Sequence, residues 1–279
     1  MTTEVEIIAD TISPAGKRIT TFMLTYPRYI HPELLTHRCF SRNASSSRAV
    51  PVSKLLRQVI YDPVVPIHFG ANQRGMSAAK ELTGWRKWLA RKLWLGARWP
   101  AVGFVWTLSK LGLHKQVSNR ILEPWLYIQV VLTSTEFDNF YALRCDAEHA
   151  HPDIYKLAEL MLSAHNTSLP IESSLHLPFV SAEERGLWLY SEGQLFKFSV
   201  ARCCRVSYLN LDKTKPEPIK DLKLYNELLT NGHLSPFEHQ AVALENPQQS
   251  SGNFVGWLQY RKTLVEDQRK SFTRLKKRV

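Results

Sequence analysis

Four stretches of this 279-residue chain carry side chains whose types and spacing could do chemistry. The densest runs from Thr36 to Val50, THRCFSRNASSSRAV, and packs His37, Arg38, Arg42, Asn43, Arg48 and four serines, Ser46 and Ser47 among them, into a short span. Guanidinium forks and hydroxyls at that density suit phosphates and carbonyl-rich heterocycles, which present several acceptors at fixed spacing; the alternative is a plain surface turn. A second stretch, Gly232 to His239, reads GHLSPFEH, and alone it is a helix cap and a satisfied turn. The third, Asn119 to Pro124, and the fourth, Asp138 to Arg144, each set one arginine, Arg120 or Arg144, beside apolar residues. A guanidinium there needs an anion or a carboxylate, and an intrachain salt bridge is the plain alternative. The four cysteines, Cys39, Cys145, Cys203 and Cys204, form no CxxC pair, so reduced thiols are expected, without zinc or a disulfide framework.

Elements must position these groups. Residues 5–30 read as two strands around a Pro-Ala-Gly turn, followed by a helical start with Pro32 in its first turn. PVSKLLRQVIYDPVVP is a short helix ended by Asp62-Pro63, residues 77–119 are helical and basic with an interruption at Pro100, and WLYIQVVLT is a buried strand. Phe137 to Ser163 reads as one helix. Thr167 to Gly193 is the expected linker, dividing a single domain of residues 1–279 into parts 1–166 and 194–279. Beyond it, FKFSVARCCRVSYLNL is a strand or a buried helix entry, DLKLYNELLTNGH a helix stopped at Asn231-Gly232, and HQAVALEN a strand.

Composition narrows the class. At 44% hydrophobic and 22% charged residues the chain folds and is neither disordered nor collagenous. It lacks an apolar run of about 18 residues and its acidic start does not resemble a signal peptide, so a cytoplasmic protein with no membrane partner is expected. The net charge of +11 is concentrated: Trp85–Arg120 holds eight Lys/Arg and no acid, and Arg261–Val279 holds eight against Glu266 and Asp267. Either a polyanion partner such as nucleic acid or a solvated helix face follows.

Together the four stretches resemble the flavin-dependent thymidylate synthases. The family pattern RHRxxSxNxxSxR is matched by His37, Arg38, Ser41, Asn43, Ser46 and Arg48, and HGHxSPFEH with a preceding ARVSY by Gly232–His239 and Arg205-Val206-Ser207-Tyr208. Arg120–Pro124 and Asn139–Arg144 resemble RIxLP and NFxxLR. Here the ARVSY and SPFEH elements follow the signature instead of preceding it, which resembles a circular permutation. About two thirds of the chain is covered; the Trp-rich basic stretch and the tail after Asn253 are not.

The resemblance implies an α+β fold with a mixed sheet packed by helices, a homotetramer with shared active sites, and methylation of dUMP at C5 to dTMP. FAD is the implied cofactor, with NADPH and methylenetetrahydrofolate as co-substrates. It makes Arg144 catalytic, bonding the uracil ring and favouring its N3-deprotonated form. Arg120, Arg48, Ser46, Ser47 and Glu33 would hold dUMP; His37, Arg38, Asn139 and Ser235 would hold FAD, with Asn43 and His233 in support. This sequence departs from the pattern at Thr36, where the family has arginine, at Ala44 in place of glutamate, at Glu33 in place of glutamine, and at Thr133 and Thr135 in place of an NxR pair. Arg42, Arg74 or Lys115 could substitute. The alternatives are a flavin-dependent dUMP hydroxymethylase, a non-catalytic nucleotide- or nucleic-acid-binding relative, and a methyltransferase using Cys39 or Cys145 as nucleophile.

Overall fold

Alternation of side chains in β2 organises the molecule. The computed structural model of the chain describes residues 2–75, 78, 80–186, 189–206 and 217–264. Strands β1 (Glu4–Ile12) and β2 (Arg18–Pro27) form an antiparallel hairpin whose turn places Gly16 at φ +81°, a value that favours glycine. β2 then pairs with β4 (Tyr127–Ser134), which pairs with the edge strand β3 (Ser41–Ala44). On the far side β5 (Ile171–Glu172) runs parallel to β1, giving the order β3-β4-β2-β1-β5. The fold is thus α+β with a mixed sheet.

Both faces of β2 are buried. Phe22, Leu24 and Tyr26 join Ile128, Val130 and Leu132 of β4 against Phe137 and Phe140 near α5 (Asp138–Arg144) and Ile154, Leu157 and Met161 of α6 (Pro152–Thr167). Met23 and Val131 point the other way, onto Cys203 and Val206 at the end of α8 (Glu192–Arg205). A strand covered on both sides loses the polar alternation of a half-solvated one, which is why β4 reads as an unbroken apolar run. Each such side chain removed from water contributes about 1.5–3 kcal/mol.

The other helical elements among the described residues are α1 (His31–Leu35), α2 (Val52–Tyr61), α3 (Gly84–Lys110), α4 (Lys115–Ser118), α7 (Ala182–Gly186), α9 (Pro218–Asn231), and 3-10 turns at Arg28–Ile30, Asn119–Trp125, Ser235–Glu238 and Tyr260–Leu264. A second sheet has the order β10-β7-β6, from β6 (Leu175–His176), β7 (Ala241–Ala243) and β10 (Trp257–Gln259), and β8 (Ser250–Ser251) pairs with β9 (Phe254–Val255). Residues 167–193 contribute β5 to the large sheet, β6 to the small one, and Leu177 and Val180 to a core with Leu195, Phe196 and Phe198 of α8.

Two elements differ from the sequence reading, and a third, left open there between a strand and a buried helix, is a helix. The expected helix from Phe137 to Ser163 is two, α5 and α6, because Asp146 Oδ1 accepts the Glu148 and His149 amides in a local turn and Pro152 restarts the helix. The expected interruption of the basic helix at Pro100 does not occur; Pro100 and Gly96, whose carbonyl loses its partner, are both solvent-exposed, so water can satisfy that group. FKFSVARCCR belongs to helix α8, started by a Ser191/Gln194 capping box visible in the sequence as SEGQ.

Candidate functional site

Arg144 ends α5, where a cation complements the helix dipole, and its side chain is 21% exposed. Its Nε donates to His37 Nε2 at 3.0 Å and its Nη2 to Thr36 Oγ1 at 3.3 Å, while Glu33 Oε2 of α1 lies 3.7 Å from Nη1. Two of the five guanidinium donors are thereby committed to hydrogen bonds, and the third nitrogen is ion-paired with Glu33. Buried His37 rests edge-on against Phe140, with ring centroids 5.0 Å apart. Burial, then the charges of Arg144 and Arg42, hold it below the usual histidine range, so it is neutral and accepts at Nε2. Arg144, His37, Thr36 and Glu33 therefore form one cluster. Arg42, a candidate substitute for a missing cation, donates to the carbonyls of Leu35 and His37 beside it.

A cavity of about 230 Å³ opens beyond β3, lined by Arg28, Ser45, Ser46, Ser47, Lys54, Gln58 and Gln129 among others. The serine loop is pinned from below: the buried Asn119 amide donates to the carbonyls of Ser47 at 2.8 Å and Val50 at 3.0 Å, and Ser45 exchanges bonds with Gln129. Glu123 Oε1 accepts from Ser47 Oγ at 2.8 Å and Arg120 Nη1 at 2.9 Å, and Arg28 Nε lies 3.2 Å away. Sequence reasoning missed Arg28 and Lys54. Arg28 alone carried a signal, a cation directly after a strand that ends in proline.

The two distant stretches meet at β3. Ser235 Oγ donates to Asn43 Oδ1 at 3.5 Å, and Asn43 Nδ2 donates to the Cys203 carbonyl at 2.7 Å. Glu238 of the same turn attracts Arg42 and forms an ion pair with Arg261. Ser41 Oγ accepts from Gln259 Nε2 at 3.0 Å and Asn253 Nδ2 at 3.5 Å. Beneath them runs a buried chain: His239 Nδ1 to Thr133 at 2.9 Å, Thr133 to Thr21 at 2.7 Å, Thr21 to His176 Nε2 at 2.8 Å, and His176 Nδ1 to Thr11 at 2.8 Å. Burial pushes both imidazoles down to about 3. The last residue of SPFEH thus ties its turn to the sheet.

Other candidates stand apart. Arg38, Asn139 and His233 are exposed, and none of the described side-chain hydrogen bonds joins them to the rest. Arg48 is exposed and, among the described residues, reaches Ser46 Oγ at 3.5 Å, while Arg120 is half exposed and paired with Glu123. Lys115 donates to the Ala49 carbonyl beside the serine loop. Arg205 pairs with Asp221, which also binds Arg202, locking α8 to α9. Ser207, Tyr208 and the basic tail beyond Leu264 lie outside the described residues. Burial raises all four thiols above the ordinary cysteine range, Cys204 to about 11, which disfavours a thiolate nucleophile. Among the described residues no cluster of His, Cys, Asp and Glu could hold a metal, and no helix is long and apolar enough to cross a membrane.

No protein-family model matches the chain, and no curated protein does. Among solved structures, it is similar to the UMP/dUMP methylase PolB from Streptomyces cacaoi bound with 5-Br UMP, at 16% identity and a TM-score of 0.46, over 58% of this chain and 88% of that one. The same enzyme bound with 5-Br dUMP gives 15% identity and a TM-score of 0.45, over 58% of this chain and 89% of that one.

Proposed function

We propose that this chain modifies dUMP at C5 in a flavin-dependent reaction, with methylenetetrahydrofolate as one-carbon donor, NADPH as reductant and dTMP as product. The observation that carries the reading is the convergence at β3: the Ser235–Glu238 turn reaches Asn43, on the strand whose Arg42 donates to the His37 carbonyl beside the Arg144–His37 pair, with a cavity lined by Arg28 and serines on the same strand's continuation. The family motifs and this meeting of two stretches far apart in sequence support each other.

The donors present fit a flavin. Arg38, Asn139, His233 and Ser235 are exposed side chains able to bond a phosphate or a heteroaromatic edge. FAD, when bound, supplies the hydride. The chain's own residues do the rest. Arg144 presents its uncommitted donors to the uracil and stabilises the anionic ring that makes C5 nucleophilic. Neutral His37 fixes that guanidinium by accepting its Nε–H. Arg28, Lys54 and the Ser45–Ser47 loop hold the phosphate, for which Arg28 and Arg120 would exchange part of their bond to Glu123.

The deciding experiment incubates the protein with dUMP, methylenetetrahydrofolate, FAD and NADPH and weighs the product. A mass gain of one CH2 unit, from replacement of the C5 hydrogen by methyl, is expected, from a yellow protein that releases FAD on denaturation. A hydroxymethyl gain would select the hydroxymethylase instead, and unmodified dUMP with a flavin-free protein would leave a nucleotide-binding relative. Arg28→Ala is expected to raise KM for dUMP about tenfold, one charged hydrogen bond's worth, with kcat little changed. An unaltered KM would move the phosphate elsewhere.

A further inference from the structure

We infer that α3 is a docking surface for an anionic lipid membrane, a role independent of the reading of the nucleotide site. The helix is 27 residues long, about 40 Å. One side packs Ala101 and Val105, with Trp94 and Val102, on Leu55 and Val59 of α2 and on Leu122 and Trp125. The opposite side points its largest apolar groups outward: Trp85, Trp88, Trp99 and Trp106 are 69%, 61%, 51% and 55% exposed. At 100° per residue these four fall within one narrow arc, with Leu89 and Leu93 beside it. A soluble surface has no use for four aligned tryptophans, and a patch this large marks an interaction site.

Charge selects the occupant. No acid lies between Glu81 and Glu123, while Arg86, Arg91, Lys92, Arg98 and Lys110 are spread along the helix. A cation lies over each outward ring, closest for Arg98 at 4.6 Å from the centroid of Trp99. A second copy of the chain would set this all-cationic face against itself, so self-association through it is opposed. Nucleic acid would use the cations and stack on the tryptophans, but would leave exposed Leu89, Leu93, Phe104 and Leu111 without a partner. A bilayer interface takes all three classes at once: indoles at headgroup level, aliphatic side chains below, and cations on anionic phosphates. The helix lies on such a surface and does not cross it, in keeping with its cations and its packed inner side. The sequence reading expected no membrane partner; the exposure of these tryptophans is the observation on which this inference departs from it.

The test is co-sedimentation of the full chain with phosphatidylcholine vesicles, with and without one third phosphatidylglycerol, together with quenching of tryptophan fluorescence by brominated lipid. Binding to the anionic vesicles alone is expected, weakened about tenfold by raising salt to 0.5 M, with quenching by the brominated chains. Replacing Trp85, Trp88, Trp99 and Trp106 by serine should lower partitioning at least tenfold. Because that variant removes much apolar surface, Arg86→Glu with Lys92→Glu is the second probe; both residues are exposed, and the double change should leave the melting temperature unchanged and also lower binding. The inference is overturned by no vesicle binding, by binding that survives both variants and so belongs to the basic tail, or by tight binding of a single-stranded polynucleotide in place of vesicles.

Discussion

Arg144→Ala is expected to lower kcat for dUMP turnover by about 10³-fold while FAD still co-purifies and the melting temperature moves little. The size follows from what is lost: a preorganised charged donor set facing charge that develops on the ring is worth about 10²–10³ per group in other enzymes. Little stability is at stake, because Arg144 sits at a helix end, partly exposed, with two side-chain bonds. Arg144→Lys keeps the charge but not the fork, and should recover only part of the rate. Wild-type kcat in the alanine variant would remove Arg144 from the chemistry. Loss of FAD together with rate would assign it to cofactor binding instead.

Acid is expected to unfold the protein early: between pH 7 and pH 5 the folded state should lose on the order of 5 kcal/mol. His31, His176 and His239 are pushed down to about 4, 3 and 3, chiefly by burial. In the unfolded chain each binds a proton near pH 6.5, whereas in the fold each stays neutral, so their stabilising contribution is present above pH 6.5 and is lost as pH falls. At pH 5 each contributes about 2 kcal/mol to the loss. Asp153 and Asp221, raised by burial, act in the opposite sense only at pH values near the carboxylate range, and Asp10, lowered overall because its Arg18, Ser168 and Thr20 bonds outweigh burial, adds to the loss there. A drop in melting temperature of about 10 °C or more from pH 7 to pH 5 is expected. His239→Gln, which keeps a hydrogen-bonding group toward Thr133 without a titrating ring, should flatten that dependence by about a third. A melting temperature independent of pH over this range would refute the buried neutral chain.

The elements were legible wherever one physical signal dominated. β1, β2 and β4 follow from β-branched and aromatic runs; α9 ends at Gly232, whose φ of +72° is left-handed. α8 was ambiguous because its buried face makes it apolar almost throughout, and period alone does not separate a buried helix from a strand. The split between α5 and α6 was missed because the helical period resumes across the break. In the site, the resemblance gave Asn43 and Ser235 to one cofactor but not their direct bond, and Arg28, Lys54 and the histidine chain from His239 to Thr11 were not anticipated.

The sequence by itself determined which groups are available: an arginine in a helical stretch, a cluster of serines, arginines and histidine, a basic tryptophan-rich helix and cysteines without CxxC spacing. These depend on residue type and local period, which are properties of neighbours in the chain. Only the tertiary structure decided that Thr36 and His37 hold Arg144, that Glu123 holds Arg28, and that the tryptophans of α3 face outward. Those outcomes rest on contacts between residues separated by tens to hundreds of positions. The packing that sets them is selected by the burial of the whole sheet, and no local pattern encodes it.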